Sequence, residues 1–263
     1  MTEIKVDDPG KAREFLTNVP VSGRSTRFES ATEFTLPIPT YEDGTQQVVT
    51  VGSQISEFSE RVPEAQRPQI ANSFLLAQLA ANKMIEDDGG SKEWYDRYVD
   101  VLANIGWLVE TETISERDVS DTSGELHEEI IPIITLALGP AVAATALVTK
   151  ILEGLQNMDK DSPWITLFSK ESQRATANQF QISYADIPDD GQPRITLACF
   201  ELDASRSVTQ VLFFKFSEMS AKLRHFGSKM SMNAALFDAV QDVVADRVTE
   251  YVKNYVAAIP LLG

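Results

Sequence analysis

Hydrophobic positions change their period several times along the chain, and the changes divide it into segments. From Ile195 to Ser217, apolar, aromatic and β-branched residues come in short runs around one polar corner. The pattern predicts two β-strands, with Ile195, Leu197, Cys199 and Leu202 on the first and Val208, Val211, Phe213 and Phe214 on the second. Apolarity is nearly continuous over Val211, Leu212, Phe213 and Phe214. That is the pattern of a strand covered on both faces, so helices from elsewhere must supply the cover.

Upstream, Trp164 to Phe168 reads as a short strand, and Phe180, Ile182 and Tyr184 alternate in another. Asp189–Asp190–Gly191 is a turn. Linked strands over 164–217 therefore predict a largely antiparallel meander. Residues 1–60 read as an irregular lead-in followed by an edge hairpin. The hairpin is expected from short alternation through Phe28, Phe34 and Leu36, a turn at Glu42–Asp43–Gly44 and a strand at Gln46–Val51.

Helical spacing dominates 63–158. Ile70, Phe74, Ala77, Ala81 and Met84 mark one helix, widened by Leu75 and Leu79. Asp87–Asp88–Gly89–Gly90 ends it. A second helix carries Trp94, Tyr98, Val101, Leu102, Ile105 and Leu108 inward, which makes an αα-hairpin. Thr111 to Gly124 reads as an acidic surface connector.

Ile130 to Thr149 then runs through twenty positions without a charge. Such a length could span a bilayer. Pro132 and the pair Gly139–Pro140 interrupt it, and Gly139–Pro140 stops one helix and starts the next. The segment, with Ile130, Ile131, Gly139 and Pro140 as its marked positions, reads as a second, more apolar helical pair. It is either a buried core hairpin or one that can leave the core and enter lipid. The last helix, 232–256, places Leu236, Val240, Val243, Arg247, Val248, Tyr251 and Tyr255 close to one face.

Composition narrows the function classes. The chain has 263 residues, 43% hydrophobic and 24% charged, as in an ordinary globular protein, and its net charge is −16. That charge repels nucleic acid, and no basic cluster offsets it. The N-terminal ten residues are polar and acidic, unlike a secretory signal peptide, so release or a dedicated export route is expected. Cys199 stands alone, which excludes an internal disulfide, and its strand setting suggests a buried, inert thiol.

No catalytic or cofactor motif is present, and no metal, cofactor or enzymatic activity is expected. His127 and His225 have no neighbours at metal-ligand spacing, and His225, beside Arg224, reads as solvent-facing. Asn157, Asp159 and Asp161 begin like a calcium loop. Ser162 and Phe168 stand where glycine and glutamate are needed, so the segment reads as a turn.

The run Phe200–Glu201–Leu202, Ser205 and Gln210–Val211–Leu212–Phe213–Phe214 resembles the central strands of the Cyt family of cytolytic δ-endotoxins. Trp164–Ile165, Ser169–Lys170–Glu171, Asn178 and Tyr184 fit the same region in order. The resemblance covers about 160–216, and the two helical pairs ahead of it match in layout. It implies one α/β (α+β) domain over 1–263, a largely antiparallel sheet wrapped by helical hairpins. It also implies a non-enzymatic toxin that changes from a water-stable to a lipid-inserted form and self-associates there. By position it nominates Val211, Leu212, Phe213 and Phe214 as the insertion-competent strand, with Trp164 on its neighbour. On this reading acid, by protonating carboxylates, loosens the helices from the sheet. The alternatives are an accessory or neutralising partner of a toxin system, and an enzyme with an unrecognised site.

Overall fold

A computed structural model describes residues 8–22, 36, 38–85, 90–118, 124–174, 177–204, 208, 210–216 and 221–259. Within them one mixed sheet forms the middle layer. Its strands are β1 (Gln47–Val51), β2 (Gln54–Phe58), β3 (Trp107–Asp118), β4 (Asn178–Asp186), β5 (Arg194–Ala204), β6 (Ala221–Met232) and β7 (Val256–Ala258). Their spatial order is β3-β6-β5-β4-β2-β1-β7. Only β2 and β4 run parallel; every other pair is antiparallel.

Each face of the sheet has its own core. On one side lie α1 (Pro9–Asn18), α2 (Arg67–Met84), α3 (Ser91–Ile105) and α8 (Ala234–Tyr255). Helix α2 buries Ile70, Phe74, Leu75, Ala77, Leu79 and Ala81, the stripe its spacing predicts. Burial removes about 1.5–3 kcal/mol of hydration cost per large side chain. It packs on α3 and α8 over Leu197, Cys199 and Phe226. A chain of polar side chains is paired within this layer. Tyr98 Oη donates to Gln54 Oε1 at 2.7 Å, and Gln54 Nε2 donates to Ser56 and Ser183 at 3.0 and 2.9 Å.

The other face is covered by α4 (Leu126–Leu138), α5 (Pro140–Ala143), α6 (Leu147–Gly154) and α7 (Pro163–Ser172). Ile55, Phe180, Ile182, Ala198, Phe200 and Leu202 supply the sheet side of this core. Phe180 and Phe200, opposite each other on β4 and β5, stack with ring centroids 5.1 Å apart.

The first central strand, the helical cover on both faces and the break at Gly139–Pro140 match the expectation. Gly139 has φ +84°, a conformation glycine adopts freely, and Pro140 opens α5. Several other expectations are corrected. Trp164–Phe168 is the first part of α7, not a strand, because Pro163 sets the first helical position and Trp164, Ile165 and Phe168 share a buried helical face. Val211–Phe213 is a 3-10 turn, not a strand. Both edges of β5 are already taken, by β4 and by β6, so no edge is open to it.

Residues 111–118 of the expected acidic connector are the greater part of β3, which pairs with β6 through a register shift between Val109 and Thr111; residues 119–123 lie outside the described ones. The N-terminal hairpin is β1–β2, turned at Gly52, whose φ is +56°. It lies inside the sheet, with β4 and β7 as its outer neighbours. Residues 24–35, its expected first strand, fall outside the described residues, as do Asp87–Asp88–Gly89. His225 is not simply solvent-facing. It is half-buried on β6, tilted against Phe200, with Nδ1 2.8 Å from Ser115 Oγ, and burial lowers its pKa.

Candidate membrane-active region

The uncharged segment folds as three short helices because its breaks are built in. Glu125 and Glu128 form a capping box at the start of α4, with Glu125 N donating to Glu128 Oε2 at 2.9 Å. Pro132 follows one turn later on the outer face. Ile130 and Ile134 turn inward and are buried, while Ile131 is half-buried. Half-buried Gly139 and exposed Pro140 form the corner before α5. Leu136 points outward and is 85% exposed, with Ala141 and Ala144 also exposed nearby in sequence. The uncharged stretch 130–149 therefore carries apolar side chains on its outward side as well as toward the sheet.

The start of α6 is fixed by a residue from the sheet. Glu57 of β2 is fully buried, and its Oε1 and Oε2 accept from Leu147 N at 3.0 Å and Val148 N at 2.8 Å. Ala146, at the N-cap, has no side chain that could do this. Burial raises the Glu57 pKa to about 7, against the two backbone bonds and the charge of Lys150, which lower it. Beside this contact a small cavity of about 10 Å³ lies between Ile134 and Leu138 of α4 and Ile182 and Ala198 of the sheet. Sequence reading missed Glu57. The signal was a carboxylate two residues after Ile55, in phase with an apolar strand face.

The nominated insertion residues are all buried beneath this cover. Val211, Leu212, Phe213 and Phe214 share one core with Trp164 and Ile130. The turn they form is tied to α4. Leu126 N donates to Phe214 O at 2.8 Å, Phe216 N donates to Gly124 O at 3.2 Å, and His127 Nδ1 meets Leu212 O at 3.0 Å. Lys160 Nζ sits 4.5 Å from the Phe213 ring centroid. The structure thus brings together Trp164, the 211–214 turn and Ile130, and sets Gly139 and Pro140 apart at the surface.

Little else in the described residues suggests chemistry. No group of three or more histidine, cysteine or acidic residues is placed to hold a metal ion. Cys199 is buried and burial pushes its thiol well above the usual range, which suppresses the reactive thiolate. Glu201 accepts from Arg224 Nη1 at 2.5 Å, a charge pair between β5 and β6. Asp161 N donates to Asp159 Oδ1 at 3.0 Å in the turn before α7. No described helix is long and apolar enough to cross a membrane.

No protein-family model matches the chain, and no curated protein sequence matches it. Several solved structures are similar to it. One is a δ-endotoxin, 14% identical, covering 84% of this chain and 96% of its own, with a TM-score of 0.36. Another is the activated Cyt2Ba monomer from Bacillus thuringiensis subsp. israelensis, 14% identical over 70% of this chain and 98% of its own, TM-score 0.39. A third is the Evf virulence factor, 13% identical over 95% of this chain and 91% of its own, TM-score 0.35. The structural matches to Cyt-family δ-endotoxins and to Evf extend over most of the chain at low sequence identity.

Proposed function

We propose that the protein is a membrane-active cytolysin that exchanges a water-stable form for a lipid-inserted, self-associating one. The unit α4–α6 is the part that leaves the sheet. Its departure uncovers the apolar face of β4 and β5 together with Trp164 and Val211–Phe214. Sheet strands that close on themselves in lipid keep their backbone groups paired. The net charge of −16 directs the protein to neutral rather than anionic lipid. No catalytic step is required.

One observation carries this reading. The same uncharged segment, 130–149, seals an apolar sheet face and presents Leu136 to water. No other large apolar side chain among the described residues is as exposed as Leu136.

The test is dye release from phosphatidylcholine vesicles, before and after mild trypsin treatment. Release is expected from the wild type. Leu136→Glu removes an exposed anchor without touching the core, so it is expected to weaken release about tenfold or more while leaving the thermal midpoint unchanged. Vesicles left intact by the wild type at every pH from roughly 5 to 9, with and without trypsin, sink the proposal. Intact vesicles together with capture of one stable protein partner support an accessory or neutralising role instead.

A further inference from the structure

Glu57 joins the sheet to the cover through its carboxylate alone. Both oxygens accept from the first two amides of α6, and the residue is fully buried on β2. The ionisable groups on the elements around it are Lys150 and Glu153 on α6, Tyr184 and Asp186 on β4, His127, Glu128 and Glu129 on α4, and Lys170 and Glu171 on α7; β1 has none. Of these, Lys150 is the group that favours its charge, and Lys150 is itself exposed to water. Tyr184 stands opposite Glu57 in the β2–β4 register, half-buried, and burial raises the pKa of its phenol, with the Asp186 and Glu57 carboxylates adding to the rise. Ile134, Leu138 and Val148 add only hydrocarbon to the space beside it.

A buried carboxylate with two amide donors and one solvent-exposed cation is in tension. The amides hold it in place when ionised, while exclusion from water disfavours that ionisation. Opening of α6 resolves the tension by hydrating the charge.

We propose that Glu57 is a pH-read latch, protonated and closed in mildly acidic solution, ionised and easily opened in alkaline solution. The proposal rests on the reading that α4–α6 is the part that leaves.

The direction follows from linkage. The closed form raises the Glu57 pKa from 4.5 to about 7. The closed form therefore keeps the proton between these values after the open form has lost it. The stabilisation of the closed form is fully present below 4.5 and is lost as pH rises through about 7. The opening equilibrium is then expected to rise about fifty- to a hundredfold between roughly pH 5 and roughly pH 8.5. This runs against the general expectation that acid loosens the helices from the sheet. Net-charge repulsion acts on the whole surface, whereas Glu57 acts on one contact.

Hydrogen exchange on the full chain without lipid tests the latch. Amides of 147–154 are followed by mass spectrometry, corrected for the intrinsic pH dependence of exchange, with α8 as internal reference. In the wild type their protection should fall relative to α8 by about fifty- to a hundredfold over that pH range. Glu57→Gln mimics the protonated carboxyl and should flatten the profile. Lys150→Met changes an exposed residue and should move the wild-type transition to higher pH, which keeps the test valid if Glu57→Gln does not fold. A flat wild-type profile, a rising one, an unaltered slope in Glu57→Gln or an unmoved transition in Lys150→Met overturns the latch. Because no lipid is present, a failure here is independent of vesicle leakage, and inert vesicles do not touch this result.

Discussion

His127 Nδ1 lies 3.0 Å from the carbonyl oxygen of Leu212, 85 residues along the chain. The histidine sits in the first turn of α4 and is only 1% exposed. With the Leu126–Phe214 backbone bond, it ties the start of the cover to the turn that carries the insertion candidates. Glu125 Oε2 lies 3.4 Å from the same ring nitrogen. His127→Ala leaves a buried carbonyl without its donor and a cavity in place of the ring. The expected loss of stability is about 2–4 kcal/mol. Denaturant titration measures it, and limited proteolysis should show earlier cleavage near residues 211–216. A loss below about 0.5 kcal/mol would mean that the contact is incidental.

Gly106 closes α3 and starts the turn into β3 with φ +112°. A Cβ there would lie 3.0 Å from Phe237 N and 3.1 Å from Asn233 O, both backbone atoms of the α8 start. Asn233 N also donates to Gly106 O at 2.8 Å, so the two segments cannot part cheaply. Gly106→Ala therefore combines an unfavourable φ with a close backbone approach. It is expected to lower stability by about 1–3 kcal/mol, read as a drop in the thermal midpoint. An unchanged midpoint would show that α3 and α8 can shift apart.

How much of this was legible in the sequence depends on what each residue's neighbours are. Helix α2 was readable because Ile70, Phe74, Ala77 and Ala81 repeat at helical spacing and every one is buried. Gly139–Pro140 was readable because both residues act through their own backbone. Strand β3 was not. Thr111, Thr113 and Ser115 alternate with Glu112, Ile114 and Glu116, so no apolar face marks the run, and its order comes from main-chain pairing with β6.

The run Val211–Phe214 misled for a related reason. Four buried apolar residues in succession suit a central strand or a packed turn equally, and occupancy of the β5 edges decides between them. Glu57 needed two facts that lie outside any local window, the burial of β2 and the arrival of the α6 N-terminus ninety residues later. Local periodicity thus reported the cover and the sheet, while the contacts joining them came only from the fold.

Arg67 is the support on which β2 rests. It is fully buried at the start of α2, and its guanidinium reaches two chain segments, 45–47 and 59–62. Nε donates to Val62 O at 2.9 Å, and Nη2 to Thr45 O at 2.7 Å and Ser59 O at 3.3 Å. Nη1 donates to Gln47 Oε1. These acceptors bracket the β1–β2 hairpin, so Arg67 fixes the strand that carries Glu57. Arg67→Met leaves several buried carbonyls unpaired and is expected to cost about 2–4 kcal/mol in denaturant titration. Arg67→Lys should not restore the loss, because an ammonium keeps the buried charge but cannot span both segments with a planar fork. If lysine restores wild-type stability, the charge and not the fork is what β2 needs. If methionine matches the wild type, the hairpin holds itself, and the placement of Glu57 does not depend on α2.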